Sequence, residues 1–167
     1  MVFRHSLLIV PVLLAACVPM APPDVVVANL PLVSRDGTSI GNVRVFQENT
    51  GVMLRIDSSG MPPGLHGVHL HEVGRCEGPK FTSAGPHWNP AGKKHGHRNP
   101  EGFHAGDLGN LGVGSDGKLV AGLLVPDATV AQLHDADGSA LVFHAQADDE
   151  MTDPSGNSGD RIACAVL

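Results

Sequence analysis

The chain has 167 residues, with 11 Lys and Arg against 17 Asp and Glu and a formal net charge of -6. That length holds one domain of ordinary size, and that charge gives no electrostatic reason to bind nucleic acid. Glycine at 21, proline at 13 and aromatic residues at only 4% describe a turn-rich chain whose core is built from Val, Leu, Ile and Ala. The surplus is histidine: ten in all, most of them between His66 and His104, a clustering that points to metal.

Residues 1–17 carry Arg4, an apolar run from Leu7 to Leu14 and then Ala15-Ala16-Cys17, the layout of a secretory leader. The run is too short to span a bilayer as a helix. Leu14-Ala15-Ala16-Cys17 resembles a bacterial lipoprotein box, which predicts cleavage before Cys17, a lipid on its thiol and anchoring of the exported protein to a membrane in the periplasm. Residues 18–23 read as a proline-rich tether, and the folded domain is expected over 24–167. Export places Cys76 and Cys164, 88 positions apart, in an oxidising compartment and predicts a disulfide between them.

Along that domain, strand-type alternation is clearest where Val52, Leu54 and Ile56 interleave with Met53, Arg55 and Asp57. Shorter candidates are Val25–Ala28, Asn42–Gln47, Leu119–Val125, Leu141–Ala145 and Ile162–Val166, separated by turn sequences such as Glu48-Asn49-Thr50-Gly51 and Asp137-Gly138. No stretch of a dozen residues beyond the leader keeps a helical period. The expectation is an all-β sandwich or barrel of about eight strands. Two regions break the pattern: Glu72 to Asp107, rich in glycine and proline, and Asp148 to Asp160. Loops that long in a small domain need internal staples, and metal ions and disulfides supply them.

His69 and His71 stand at i and i+2, which on a strand aims both rings to one side. His87, His95, His104 and Asp107 follow at spacings of 8, 9 and 3; three imidazoles and a carboxylate make a tetrahedral zinc set closed to water. His144 ends an apolar run that can deliver it beside the first pair, and nitrogen-rich ligation without thiolate suits copper as well as zinc. His66, His97 and His134 lack such partners and are expected on the surface. Gly112 to Gly117 spells a dinucleotide fingerprint by letter but precedes a strand, so it reads as a turn.

These residues carry a resemblance to the bacterial copper-zinc superoxide dismutases. It rests on Gly67-Val68-His69-Leu70-His71-Glu72, Gly85-Pro86-His87-Trp88-Asn89-Pro90, His95-Gly96, His104-Ala105-Gly106-Asp107-Leu108-Gly109-Asn110, His144 and the run Gly156 to Cys164. The resemblance implies an eight-stranded flattened Greek-key β-barrel with two long functional loops. It implies one copper on His69, His71, His87 and His144 and one zinc on His87, His95, His104 and Asp107, His87 serving both. Asp148 would link a copper-side ring to a zinc-side ring, and Cys76–Cys164 would clamp the long loop to the last strand. The implied reaction is disproportionation of the superoxide anion to oxygen and hydrogen peroxide, with His87 passing a proton and Arg161 guiding the anion. Asp160 beside Arg161 works against such guidance, so Lys80, Lys93, Lys94 or Arg98 in the long loop is expected to supply positive potential. Rivals are a non-catalytic copper- and zinc-binding lipoprotein of the same fold and a zinc hydrolase; the latter needs an open coordination position and far fewer histidines. Monomer and homodimer both remain open.

Overall fold

Alternation builds the barrel as the sequence suggests. In the computed structural model, which describes residues 26–167, Val52, Leu54 and Ile56 all point into the core and are at most 1% exposed. The leader, Cys17 and the tether lie outside the described residues. Eight strands follow in chain order: β1 (Val26–Ser34), β2 (Ser39–Glu48), β3 (Gly51–Ser58), β4 (Gly64–His71), β5 (Asp107–Val113), β6 (Leu119–Pro126), β7 (Ala140–His144) and β8 (Arg161–Val166). All hydrogen-bonded neighbours are antiparallel, in the order β5-β4-β7-β8-β1-β2-β3-β6. Because β3 pairs with β6 rather than β4, the chain crosses over in Greek-key fashion. The outer strands β5 and β6 approach each other and nearly close the barrel.

Two expectations need correction. Asp107 begins a strand, Asp107–Val113, instead of ending a loop; in Asp-Leu-Gly-Asn-Leu-Gly-Val the glycines stand where alternation needs side chains and hide the strand in the sequence. β1 runs on to Ser34 through Pro31, whose missing amide proton would ordinarily argue against a strand.

The interior holds Leu32, Val43, Val45, Leu54, Val68, Leu70, Leu141 and Phe143, all fully buried. Strands β4 and β7 are covered on both faces. Their inward side chains join this core, while Ala140 and Val142 face outward and pack with Phe81, Ala84 and Cys164 in a second, smaller cluster. That cluster seats the long loop on the outside of the sheet. The disulfide Cys76–Cys164 closes it at a Cα–Cα distance of 5.7 Å, as expected. The loop has no regular structure beyond one turn of 3-10 helix over Thr82–Ala84, and residues 145–160 carry only bends and turns.

Candidate metal centre

The outward faces of β4 and β7 position the first group. His69 pairs with Val142 and His71 with Ala140, so His144, two residues beyond Val142, lies diagonally from His69; their ring centroids are 4.7 Å apart. His87 is brought in by the loop. Trp88 N–H donates to Leu70 O at 2.8 Å, Leu70 N–H to Gly106 O at 2.8 Å and Gly106 N–H to Trp88 O at 2.9 Å. A Cβ on Gly106 would strike Leu70 O and the Trp88 backbone, so only glycine lets these three segments close. The His87 ring then stacks on that of His69 at 3.9 Å.

Each of these four rings has one nitrogen engaged and one free. His69 Nε2 donates to Asp148 Oδ2 at 2.6 Å, His71 Nδ1 to Gly85 O at 2.8 Å and His144 Nδ1 to Gly159 O at 3.1 Å. His87 Nδ1 lies 2.9 Å from Asp107 Oδ1. Since these partners only accept, the opposite nitrogens carry lone pairs. His69 Nδ1, His71 Nε2, His87 Nε2 and His144 Nε2 are buried with no hydrogen-bond partner, and the donor atoms of the four residues lie within 4.8 Å of one another. A buried unsatisfied polar atom costs about 1–3 kcal/mol; four converging on one point fit a metal ion.

Burial holds these rings neutral. It lowers the pKa of His69, aided by charge repulsion from His95 and opposed by Asp148. Burial, then Arg161, lowers His71 to about 2; burial lowers His87 to about 4 against its bond to Asp107; burial, then His69, lowers His144 to about 3. Unprotonated imidazole is the form a metal requires.

The second group gathers around Asp107, whose Oδ1 meets Nδ1 of His87, His95 and His104 at 2.9, 3.0 and 3.2 Å. Its Oδ2 accepts from the backbone N–H of Gly96 and His104 at 2.8 and 3.0 Å. Three imidazole nitrogens on one carboxylate oxygen suit a cation at the centre, and three nitrogens plus a carboxylate are zinc's donor set. His69 also comes within 4.8 Å of His87, His95 and Asp107, but its Nε2 is taken by Asp148 and its Nδ1 belongs to the first group. Burial opposes ionisation of Asp107, yet bonds from His87 and His95 hold its carboxyl well below the usual range. Burial likewise opposes charge on His95, but Asp107 and Asp148 outweigh it and raise the ring to about 9.

Asp148 joins the groups, with Oδ2 on His69 and Oδ1 accepting from His95 Nε2 at 3.0 Å. A Cβ on Gly156 would collide with both Asp148 and His95. Asn110 fixes Asp148 in turn, accepting from its N–H at 2.7 Å and donating to its carbonyl at 2.9 Å.

The first group opens on a cleft lined by Thr82, Gly85, Pro86, His87, His144, Pro154, Ser155, Gly159 and Arg161. Arg161 is the only charged side chain among them. Its guanidinium donates to Phe81 O and Gly85 O, each at 2.7 Å; Gly85 O is the same carbonyl that orients His71. The expected surface residues His97 and His134 are exposed. His66 is not: it is 3% exposed, with Nδ1 at 2.7 Å from His144 O and Nε2 at 2.8 Å from Pro62 O. His66 shares the inward face of β4 with Val68 and Leu70, and that period of two was the overlooked signal. Asp153, also overlooked, accepts from His95 N–H at 2.6 Å, and its other oxygen pairs with Lys94 at 2.9 Å, which offsets one of the expected steering charges.

Comparison with known proteins agrees with this geometry. Residues 39–167 match the copper/zinc superoxide dismutase family profile. The superoxide dismutase-like protein YojM of Bacillus subtilis is 43% identical over 143 residues, covering 81% of this chain and 73% of its own length. Superoxide dismutase [Cu-Zn] 2 of Aquifex aeolicus is 40% identical over 146 residues, covering 84% and 85% respectively. Among solved structures, a dismutase-like protein from Bacillus subtilis superimposes with a TM-score of 0.79 at 43% identity, covering 83% of this chain and 97% of that one.

Proposed function

This chain belongs to the copper/zinc superoxide dismutase family, and from that premise we propose which of its residues perform the reaction. The protein is an oxidoreductase that disproportionates superoxide to oxygen and hydrogen peroxide, with one copper and one zinc per subunit. Copper is assigned to His69 Nδ1, His71 Nε2, His87 Nε2 and His144 Nε2, and zinc to Asp107 with Nδ1 of His87, His95 and His104. When bound, copper exchanges single electrons with superoxide while zinc, which has no redox chemistry, sets the basicity of the shared ring.

The side chains supply the rest. Arg161, permanently charged, attracts and orients the anion at the cleft. His87 holds its Nδ1 on the Asp107 side, so Nε2 is the atom that would carry a proton to the reduced dioxygen anion whenever copper does not engage it. Asp148 fixes the tautomers of His69 and His95, leaving His69 Nδ1 bare for metal. The buried barrel strands keep the donors in place.

The carrying observation is the set of four buried, unpartnered imidazole nitrogens that shares His87 with the Asp107 group. A non-catalytic binding protein of the same fold would not need the guanidinium at the mouth, which is present here. Metal quantification with superoxide-consumption kinetics decides between them. The expected result is one copper and one zinc per chain, with activity that a copper chelator abolishes and added copper restores. Full occupancy without turnover would favour the binding protein.

The disulfide fits an oxidising compartment outside the cytosol. The finer placement is our proposal: export by residues 1–17, a lipid on Cys17, a tether over 18–23 and a periplasmic domain from residue 24. The support is Leu14-Ala15-Ala16-Cys17, and mass spectrometry of the mature N-terminus tests it. Sedimentation of the purified chain decides between monomer and homodimer.

A further inference from the structure

Asp160 is the chain neighbour of Arg161, so its negative charge belongs to the field around the cleft that Arg161 lines. The structure shows where that charge goes. Asp160 Oδ2 accepts from Arg35 Nη2 at 3.0 Å, and Arg35 Nε donates to Pro79 O at 3.1 Å. Arg35 sits in the turn between β1 and β2, far along the chain from both partners. Pro79 belongs to the segment after Cys76 that also presents Phe81 O and Gly85 O to Arg161. Two arginines therefore grip one segment: Arg161 from the cleft side, Arg35 from the outside. The segment leans on Arg35 in return, because a Cβ on Gly78 would collide with Arg35 O.

We propose that Arg35 is a positioning residue for the dismutase reaction: it neutralises Asp160, so that Arg161 presents an uncompensated positive charge to the incoming anion. This rests on the dismutase reading above. The side chains of Arg35 and Asp160 are 42% and 73% exposed, and exposed ion pairs contribute little to stability; the pair acts through the field at the cleft. A unit charge at about 10 Å in water changes the local concentration of a monovalent anion about twofold. Salt removes that effect once the Debye length falls to about 3 Å, near 1 M ionic strength.

The test compares the wild type, Arg35→Gln, Arg35→Lys and the double variant Arg35→Gln/Asp160→Asn, all metal-loaded. Superoxide kcat/KM is measured alongside azide affinity from the copper absorption spectrum, an anion-binding readout independent of turnover. At low ionic strength, Arg35→Gln is expected to lose about twofold in both, and the loss is expected to vanish near 1 M salt. Arg35→Lys, which keeps the charge, and the double variant, which removes the carboxylate, are each expected to recover it. Unchanged values for Arg35→Gln at low salt would overturn the proposal. So would a loss that persists at high salt, or one that neither second variant relieves, since that would mark Arg35 as a structural clamp alone. Wild-type protein with full metal and no turnover would instead sink the dismutase reading itself.

Discussion

The two halves of the metal centre are built in opposite ways. On the β4–β7 side, three of four rings come from barrel strands, burial keeps them neutral, and four lone pairs face one another with no partner. On the loop side the donors hold one another: Asp107 collects three imidazoles, and His95 lies between Asp107 and Asp148, whose bonds and charges raise its pKa against burial. The strand half is preorganised by the sheet, each ring being fixed through the nitrogen that faces away from the shared centre. The loop half is ordered by its own polar contacts, centred on Asp107. A rigid scaffold can hold unsatisfied donors, whereas a segment without secondary structure needs its own polar network.

His87 belongs to both halves, so its loss should have the largest effect. His87→Ala is expected to lower metal affinity by more than the roughly 10- to 100-fold typical of outer-sphere changes and to remove most superoxide turnover, read by metal analysis and kinetics together. Retention of wild-type turnover would break the idea of a shared ring. Next in size is the staple of the loop half. Cys164→Ser should cost about 2–5 kcal/mol of unfolding free energy in denaturant titration, with the loop-borne zinc set weakened more than the strand-borne set.

Asp148→Asn should weaken both metals by about 10- to 100-fold, because it unseats His69 and His95 at once. Equilibrium competition with a chelator would show a loss at only one site if the bridge were incidental. A further effect is in pH. In metal-free protein, His71, His87 and His144 titrate at about 2, 4 and 3 when folded, against 6.5 otherwise. The unfolded chain therefore binds more protons below about pH 6.5, and stability falls on acidification. His95, raised to about 9, does the reverse: its contribution is complete below about 6.5 and is lost as pH climbs towards 9. The thermal midpoint of metal-free protein should peak near pH 6.5, and an optimum above 9 would contradict the opposed behaviour of the halves.

How much of this was legible follows the same division. The barrel was readable wherever one face is apolar, as at Val52, Leu54 and Ile56, and the ligand pair His69 and His71 announced itself by a strand's period of two. β5 escaped notice because its glycines erase the alternation, though Asp107 begins it. The loop's donors were visible as residue types at suggestive spacings; their assembly was not, since it depends on backbone crossings such as Leu70, Trp88 and Gly106 that no periodicity encodes. His66 is buried because it shares the apolar inward face of β4 with Val68 and Leu70, a stronger signal than its lack of metal partners. Arg35 and Asp160 meet only because the β1–β2 turn folds over the disulfide-bound segment.

The central claim is that one imidazole serves both metals. Electron paramagnetic resonance of the chain carrying copper(II) alone, and then with cobalt(II) filling the Asp107 set, tests it most directly. A shared His87 ring predicts that the copper signal collapses as cobalt binds, through spin coupling across the ring. An undiminished copper signal at full cobalt occupancy would contradict it.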